Sequence, residues 1–471
     1  MKSLIIFFML TLIISAQSGF KQVDKLVADG KFKEAKEQIT SIFLQSSLPL
    51  AEADALVFEM ERMDRIRKDF NKTSADVLEY VNKYYPDAKE SDLNKWEKDG
   101  SLEFKIIDGT KWYFSRAASN LFRINKEAKK QKELIDGIQK DPLDLFIENY
   151  IPQVLYEAAK EQQSLVKPVT FTLDYTLTVD ANAVPDGEII KCWLPYPREG
   201  HDRQISIKLL DTNSKDYEIA DNSNMQRTIY FEKTAKNNQP TVFNIKLQVK
   251  NFNEVNLIQP EKVKPYNKNS ELYKINTAER KPHIVFTDKI KNLSKQIVGS
   301  EKNSYLIAKK IFTWISENIP WAGAREYSTI ENISDYCATQ MHGDCGIKTL
   351  LFMTLCRYNG IPTKWQSGWM LHPGEVNLHD WCEMYLEGYG WVPVDQSFGL
   401  IDSELEDVKY FYLGSTDAYH LIINDDYSKP LSPDKFFTRS ETVDFQRGEV
   451  EWYNNNLYFD KWDYNMKVDY K

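Results

Sequence analysis

Between Val169 and Val179 every second residue is apolar: Val169, Phe171, Leu173, Tyr175, Leu177 and Val179. A period of two puts these side chains on one face of a half-buried strand. Thr241, Phe243, Ile245, Leu247 and Val249 repeat the pattern. The chain before Lys167 follows a different rule. Val23, Leu26 and Val27 precede Asp29-Gly30, and Phe32, Ala35, Ile39, Ile42 and Phe43 follow it, at the spacing of helices that face a core. The period of the pattern largely decides which element forms, so the change near Lys167 separates a helical region from a β region. The length of 471 residues agrees, because single cores stop growing near ~250–300 residues.

Five segments follow from this reading, and the expected fold class is multidomain α+β. Residues 1–16 have the form of a secretory signal: Lys2, an apolar run from Leu4 to Ile14, then Ser15-Ala16. Residues 17–165 are expected to be mainly helical, with Asp108-Gly109 turning a tight hairpin. Residues 166–270 are expected to form a β-sandwich. Residues 280–430 are expected to hold an α+β core with a helix over Ser304–Glu317. Residues 431–471 alternate and carry many aromatics, which suits an extension packed on the body better than a free tail.

Composition narrows the function. The net charge of -9 is spread along the chain, whereas a nucleic-acid partner would want a basic stripe. The first apolar run is too short to span a bilayer, and no later stretch reaches the ~20 apolar residues of a spanning helix. No cysteine follows that run closely, which argues against a lipid anchor. The expectation is an exported, soluble protein of the periplasm or extracellular space. Five cysteines, at 192, 337, 345, 356 and 382, are too few for a disulfide framework, and no CxxC pair suggests zinc. With Cys345 free, the other four allow three pairings that the sequence does not choose among.

The chemistry concentrates after residue 340. Cys345 sits in Gly343-Asp344-Cys345-Gly346, and Ile347, Leu350, Leu351, Thr354, Leu355 and Tyr358 then follow a helix face until Gly360 and Pro362 stop it. A thiol at a helix start lies near free amides and the positive dipole end, which favours the thiolate. Most cysteines are small buried hydrophobes, and Cys192, Cys337 and Cys356 suit that reading. His379 opens an alternating run to Leu386, and Asp395 closes Trp391-Val392-Pro393-Val394-Asp395. Glu387-Gly388-Tyr389-Gly390 between them is turn chemistry. A hairpin centred on Glu387 with an odd-numbered loop would set His379 directly across from Asp395. A thiol, an imidazole and a carboxylate in this order supply a nucleophile, its base and the orienter of the base.

Together, GDC before a helix that ends in Arg357-x-x-Gly360-Ile361-Pro362, then His379-x-Trp381, then Gly390-Trp391-Val392-Pro393-Val394-Asp395, resemble the transglutaminase-like superfamily of papain-related cysteine enzymes. The likeness runs over about Ile311–Asp425, and Tyr412 to Ile422 resembles the closing strand region of that fold. The preceding sandwich with Trp193-Leu194-Pro195-Tyr196-Pro197 resembles exported bacterial members. The resemblance implies Cys345 as nucleophile, His379 as general base then acid, and Asp395 as orienter. It also suggests Gln340 or Trp321 as oxyanion donors beside the Cys345 amide, although Trp321 after its helix suits a core aromatic better. Trp381 and Asp380 would wall the site, and Asp380, where a small residue is usual, adds a carboxylate there. Asp402, Glu404, Glu406 and Asp407 match no calcium loop, so no metal and no cofactor is expected. The implied substrate is an amide of a peptide, a protein or a cell-wall peptide, with hydrolysis favoured over transfer to an amine. The rival reading is a scaffold that keeps the fold only for binding.

Overall fold

The computed structural model describes residues 19–45 and 47–470. The expected signal segment at 1–16 lies outside the described residues. The described residues divide into two compact units, one running up to Ile138 with Ala322–Ile330 and one of Gln139–Trp321 with the residues from Glu331 onward.

The first unit is mainly helical, as its periodicity requires. Helices Phe32–Gln45, Leu50–Asp69, Ser74–Val81, Glu90–Lys98, Ala117–Ile124 and Lys126–Asp136 surround a small antiparallel sheet ordered Phe70–Lys72, Thr110–Phe114, Phe104–Ile107. The core holds Val23, Val27, Phe32, Ala35, Ile39 and Ile42, the residues picked out by helical spacing, apart from Leu26, which is partly buried against it, and Phe43, which is exposed. Asp108 and Gly109 both take positive φ, so the two-residue turn that joins Ile107 to Thr110 forms without strain at the glycine. Gly30 is required by close approach as well as by its φ of 72°: a Cβ there would lie 1.9 Å from the Ile106 carbonyl oxygen. The returning segment Ala322–Ile330 is held by side chains of this unit. Asn120 brackets Gly323 with bonds to its carbonyl and from its amide, and Asp69 accepts from the Glu326 amide and the Thr329 hydroxyl.

The second unit contains three sheets. A four-stranded sheet ordered Trp462–Tyr470, Leu165–Val179, Thr241–Glu254, Gln204–Thr212 joins a five-stranded sheet ordered Asn455–Leu457, Glu449–Trp452, Ile189–Pro195, Thr228–Thr234, Glu218–Ile219. Their inward residues, among them Phe171, Leu173, Tyr175, Leu177, Phe231, Phe243, Ile245 and Leu247, share one core. The C-terminal strands are integral to both sheets: Trp462–Tyr470 pairs with Phe171–Val179 over nine residues, and Glu449–Trp452 pairs with Ile190–Trp193. Helix Pro142–Glu161 lies against this core through Phe146 and Tyr150.

The third sheet, antiparallel and ordered Gly390–Val394, Glu375–Leu386, Thr363–His372, His420–Asn424, carries the expected chemistry. Against it packs helix Cys345–Tyr358, with helices Asp288–Val298, Ser304–Asn318 and Ile333–Gln340 around that helix. The sequence suggests one apolar face for Cys345–Tyr358. The structure instead buries every residue from Gly346 to Arg357, because helices cover the side away from the sheet. Truncating a buried leucine such as Leu351 to alanine here is expected to cost ~2–5 kcal/mol. Gly368, opposite His379, allows the edge strand to come close, since a Cβ there would meet the Leu421 carbonyl oxygen at 2.0 Å.

Candidate active site

Cys345 is the first residue of its helix. Asp344 caps the start by accepting from the Ile347 amide at 3.2 Å. Cys345 as a whole residue is partly exposed, whereas Cys192, Cys337, Cys356 and Cys382 are buried, and all five are free. Its hydrogen-bond partner is the Asp380 carboxylate, with Sγ 3.3 Å from Oδ2. The expectation of an acidified thiol is therefore reversed. Burial first, then the negative charges of Asp380, Asp344 and Asp444, push the Cys345 thiol well above its ordinary range. Desolvation and like-signed neighbours outweigh the helix dipole here. Lys348, one turn further on, is buried, and burial lowers its own pKa.

His379 and Asp395 meet, but not as directly opposed residues. The hairpin pairs Leu386 with Gly390 and Cys382 with Val394, so it is centred on Gly388, one residue beyond the expected Glu387. Gly388 and Gly390 have φ of 100° and 91°, which makes the three-residue loop at 387–389 feasible. The odd loop keeps His379 and Asp395 on one face, with Asp395 just past the last pair and offset from His379 by two residues. His379 Nε2 lies 2.6 Å from Asp395 Oδ2, with both side chains almost fully buried. Asp395 Oδ1 accepts from the amides of Ser397 and Phe398. Bonds from two imidazoles offset the burial penalty and hold the Asp395 carboxyl far below its ordinary range.

The second imidazole is His420, which the sequence analysis did not single out. Its Nε2 lies 2.8 Å from Asp395 Oδ2 and its Nδ1 2.9 Å from Asp417 Oδ1. Asp417 Oδ2 also receives the Tyr412 hydroxyl at 2.6 Å and His372 Nε2 at 3.0 Å. Three of the chain's six histidines thus join two aspartates in one buried row. Burial disfavours a charged His420, but Asp417 and Asp395 prevail and raise its pKa to about 9. His372 goes the other way, lowered by burial. Nitrogen and carboxylate atoms of His372–Asp417–His420 and of His379–Asp395–His420 lie within 4.8 Å of one another. The hydrogen bonds just described account for that spacing, and both groups would need the same His420 ring.

The remaining expected residues divide. Trp381 is buried, its ring stacks on His379 with centroids 5.8 Å apart, and its indole N–H donates to Gln366. Asp380 does more than wall the site, since it takes the thiol. Gln340 ends helix Ile333–Gln340 and Met341 follows in the left-handed region. Trp321 is 38% exposed, so it is no core aromatic, and its backbone bridges Gly343, two residues from the nucleophile position. In the acidic loop, Glu406 pairs with Lys309 and Asp402 lies 3.9 Å from Lys140. A second unforeseen residue is Gln446, whose side-chain amide donates to the His379 carbonyl and to Asp380 Oδ1, both at 2.7 Å.

Residues 291–396 match the model of the transglutaminase-like superfamily. The helix–sheet core is transglutaminase-like. Cys345, His379, Asp395, Gln340 and Trp321 all fall within that match, whereas Asp417, His420 and Gln446 fall outside it. No curated protein matches the chain. A proposed cysteine protease from Cytophaga hutchinsonii is similar in structure at 14% identity and a TM-score of 0.44, covering 65% of this chain and 91% of that one. The periplasmic domain of TgpA from Pseudomonas aeruginosa gives 12% identity and a TM-score of 0.25, covering 49% of this chain and 88% of its own.

Proposed function

We propose that this chain is an exported cysteine enzyme that acts on amides of peptides or proteins through Cys345, His379 and Asp395. The observation that carries the reading is the buried 2.6 Å contact of His379 Nε2 with Asp395, in the same transglutaminase-like segment that starts a helix at Cys345. Asp395 occupies Nε2, so Nδ1 is the nitrogen left to receive the thiol proton. For that, the thiol turns from Asp380 to His379. Sulfur then attacks the amide carbonyl, and the oxyanion rests on the Cys345 amide at the helix start, with Gln340 and Trp321 as candidate further donors. Collapse breaks the C–N bond, the amine leaves with the proton from His379, and a thioester remains on Cys345. Water, deprotonated by His379, releases the free acid. Transfer to an amine needs a site that holds the amine and excludes water, and Met370–Asn377 supplies only Glu375 as an anchor, so hydrolysis is favoured.

Export rests on the segment at 1–16. No helix of the described residues is long and apolar enough to cross a membrane. One observation favours a second reading, that of a non-catalytic scaffold: the thiol is paired with Asp380 and its ionisation is suppressed. A library of peptides bearing glutamine and other amides, incubated with and without a primary amine and read by mass, separates the readings. Free acid as the main product supports the hydrolase. Amine-bearing product at millimolar amine reverses the preference, and unchanged peptides favour the scaffold.

A further inference from the structure

We propose that His420, as an imidazolium bonded to two carboxylates, is a positioning residue that holds Asp395 on His379. The inference rests on reading Cys345, His379 and Asp395 as the catalytic triad. It begins with donors and acceptors. An ionised carboxylate only accepts hydrogen bonds, and a neutral imidazole offers a single donor. His420 meets a carboxylate oxygen at each ring nitrogen, at 2.8 and 2.9 Å, and its side chain is fully buried. Both contacts are hydrogen bonds only when the ring carries two protons.

Neither carboxylate is free to turn away. Asp395 is fixed by the Ser397 and Phe398 amides, and Asp417 by the Tyr412 hydroxyl, His372 and the Tyr419 amide. His372 needs only one proton for its bond, and its Nδ1 has no partner, which suits a neutral ring. The row therefore holds two negative charges and one positive. A proton passed from the thiol to the neighbouring imidazole would balance those charges. Other charges face it from neighbouring elements. Arg203 donates to the His420 carbonyl, and Lys348 acts on Asp395 from the nucleophile helix. Edge-on packing of the His420 ring by Trp381, at 5.2 Å between centroids, fixes its plane.

The test uses the full chain with His420→Gln and with Asp417→Asn. Each is expected to lower kcat roughly 10- to 100-fold, as for residues that orient an imidazole, with KM within about twofold. Loss of the His420 charge should also move the acidic limb of the kcat/KM profile up by about one pH unit or more, because the general base then sits beside two carboxylates without the neighbouring cation. An unchanged kcat, or a lower kcat with an unmoved limb, overturns the proposal. Where a variant fails to fold, nitrogen-15 histidine spectra of the wild-type chain decide: two ring N–H protons on His420 at pH 7.5 are expected, and a single one overturns it. Activity that survives in Cys345→Ala overturns the triad reading and this inference together. Activity lost in Cys345→Ala but kept in His420→Gln overturns this inference alone.

Discussion

His379 and Asp380 are neighbours on one strand, yet the two ends of the candidate site that they serve treat charge in opposite ways. The imidazole end is organised around ionised groups. Asp395 is held ionised by two imidazoles and two amides, and Asp417 by His372, His420 and Tyr412. The thiol end is organised against ionisation. Asp380, Asp344 and Asp444 surround Cys345, and burial pushes the Asp444 carboxyl up as well. The difference teaches that the candidate site holds carboxylates ionised at one end and a thiol protonated at the other. A substrate or a side-chain rotation that moves the thiol from Asp380 to His379 then changes both ends at once.

The largest expected effect comes from removing the charge that serves the imidazole end. Asp395→Asn should lower kcat by at least about 100-fold, toward the ~10⁴-fold seen when a serine protease loses the equivalent carboxylate. It should also destabilise the fold by ~3–5 kcal/mol, because His420 keeps its proton with one carboxylate fewer. Kinetics and thermal unfolding check the two parts separately, and activity within about threefold of wild type would remove Asp395 as the orienter.

Gln446 touches both ends, through the His379 carbonyl and Asp380. Gln446→Leu leaves two buried acceptors short of a donor and should cost about 1–3 kcal/mol. Chemical denaturation measures this, and a neutral result would show that the C-terminal segment only covers the site.

Asp380→Asn addresses the thiol end alone. Removing the nearest negative charge lowers the thiol pKa, so iodoacetamide should alkylate Cys345 about tenfold faster at pH 7. An unchanged rate would assign the suppression to burial and make the contrast between the two ends one of exposure. The smallest effect is in the wild-type chain. Its raised thiol pKa means that the thiolate fraction is small near pH 6 and grows with pH, so alkylation should be slow at mildly acidic pH and rise through pH 9. Cys345 should still be labelled before the other four, which are buried. Peptide mapping that finds Cys356 or Cys192 first would contradict this order.

Elements set by local chemistry were legible in the sequence. Gly343 and Asp344 before the apolar spacing, and Gly360 after it, mark the Cys345 helix closely, and alternation marks the sandwich strands. The hairpin was legible to within one residue. Its centre depends on which of two glycines bends the chain, and both Gly388 and Gly390 do. The histidine row was not legible, because His372, Asp395, Asp417 and His420 come together only through sheet order, with the His420 strand beside Thr363–His372. Nothing near His420 in the chain distinguishes a charged ring from a packed one. Gln446 was hidden for a similar reason: its segment reads as an appendage until Glu449–Trp452 is seen paired with Ile190–Trp193.

The central claim is that Cys345 takes an acyl group from an amide and that His379 and Asp395 make this possible. The direct measurement is intact-mass and peptide mapping of the full chain, quenched in acid after brief incubation with an amide peptide library. The expected result is an acyl adduct on Cys345 that decays to free acid, absent from Cys345→Ala and much reduced in Asp395→Asn. An adduct on another residue, or equal product release from Cys345→Ala, would contradict it.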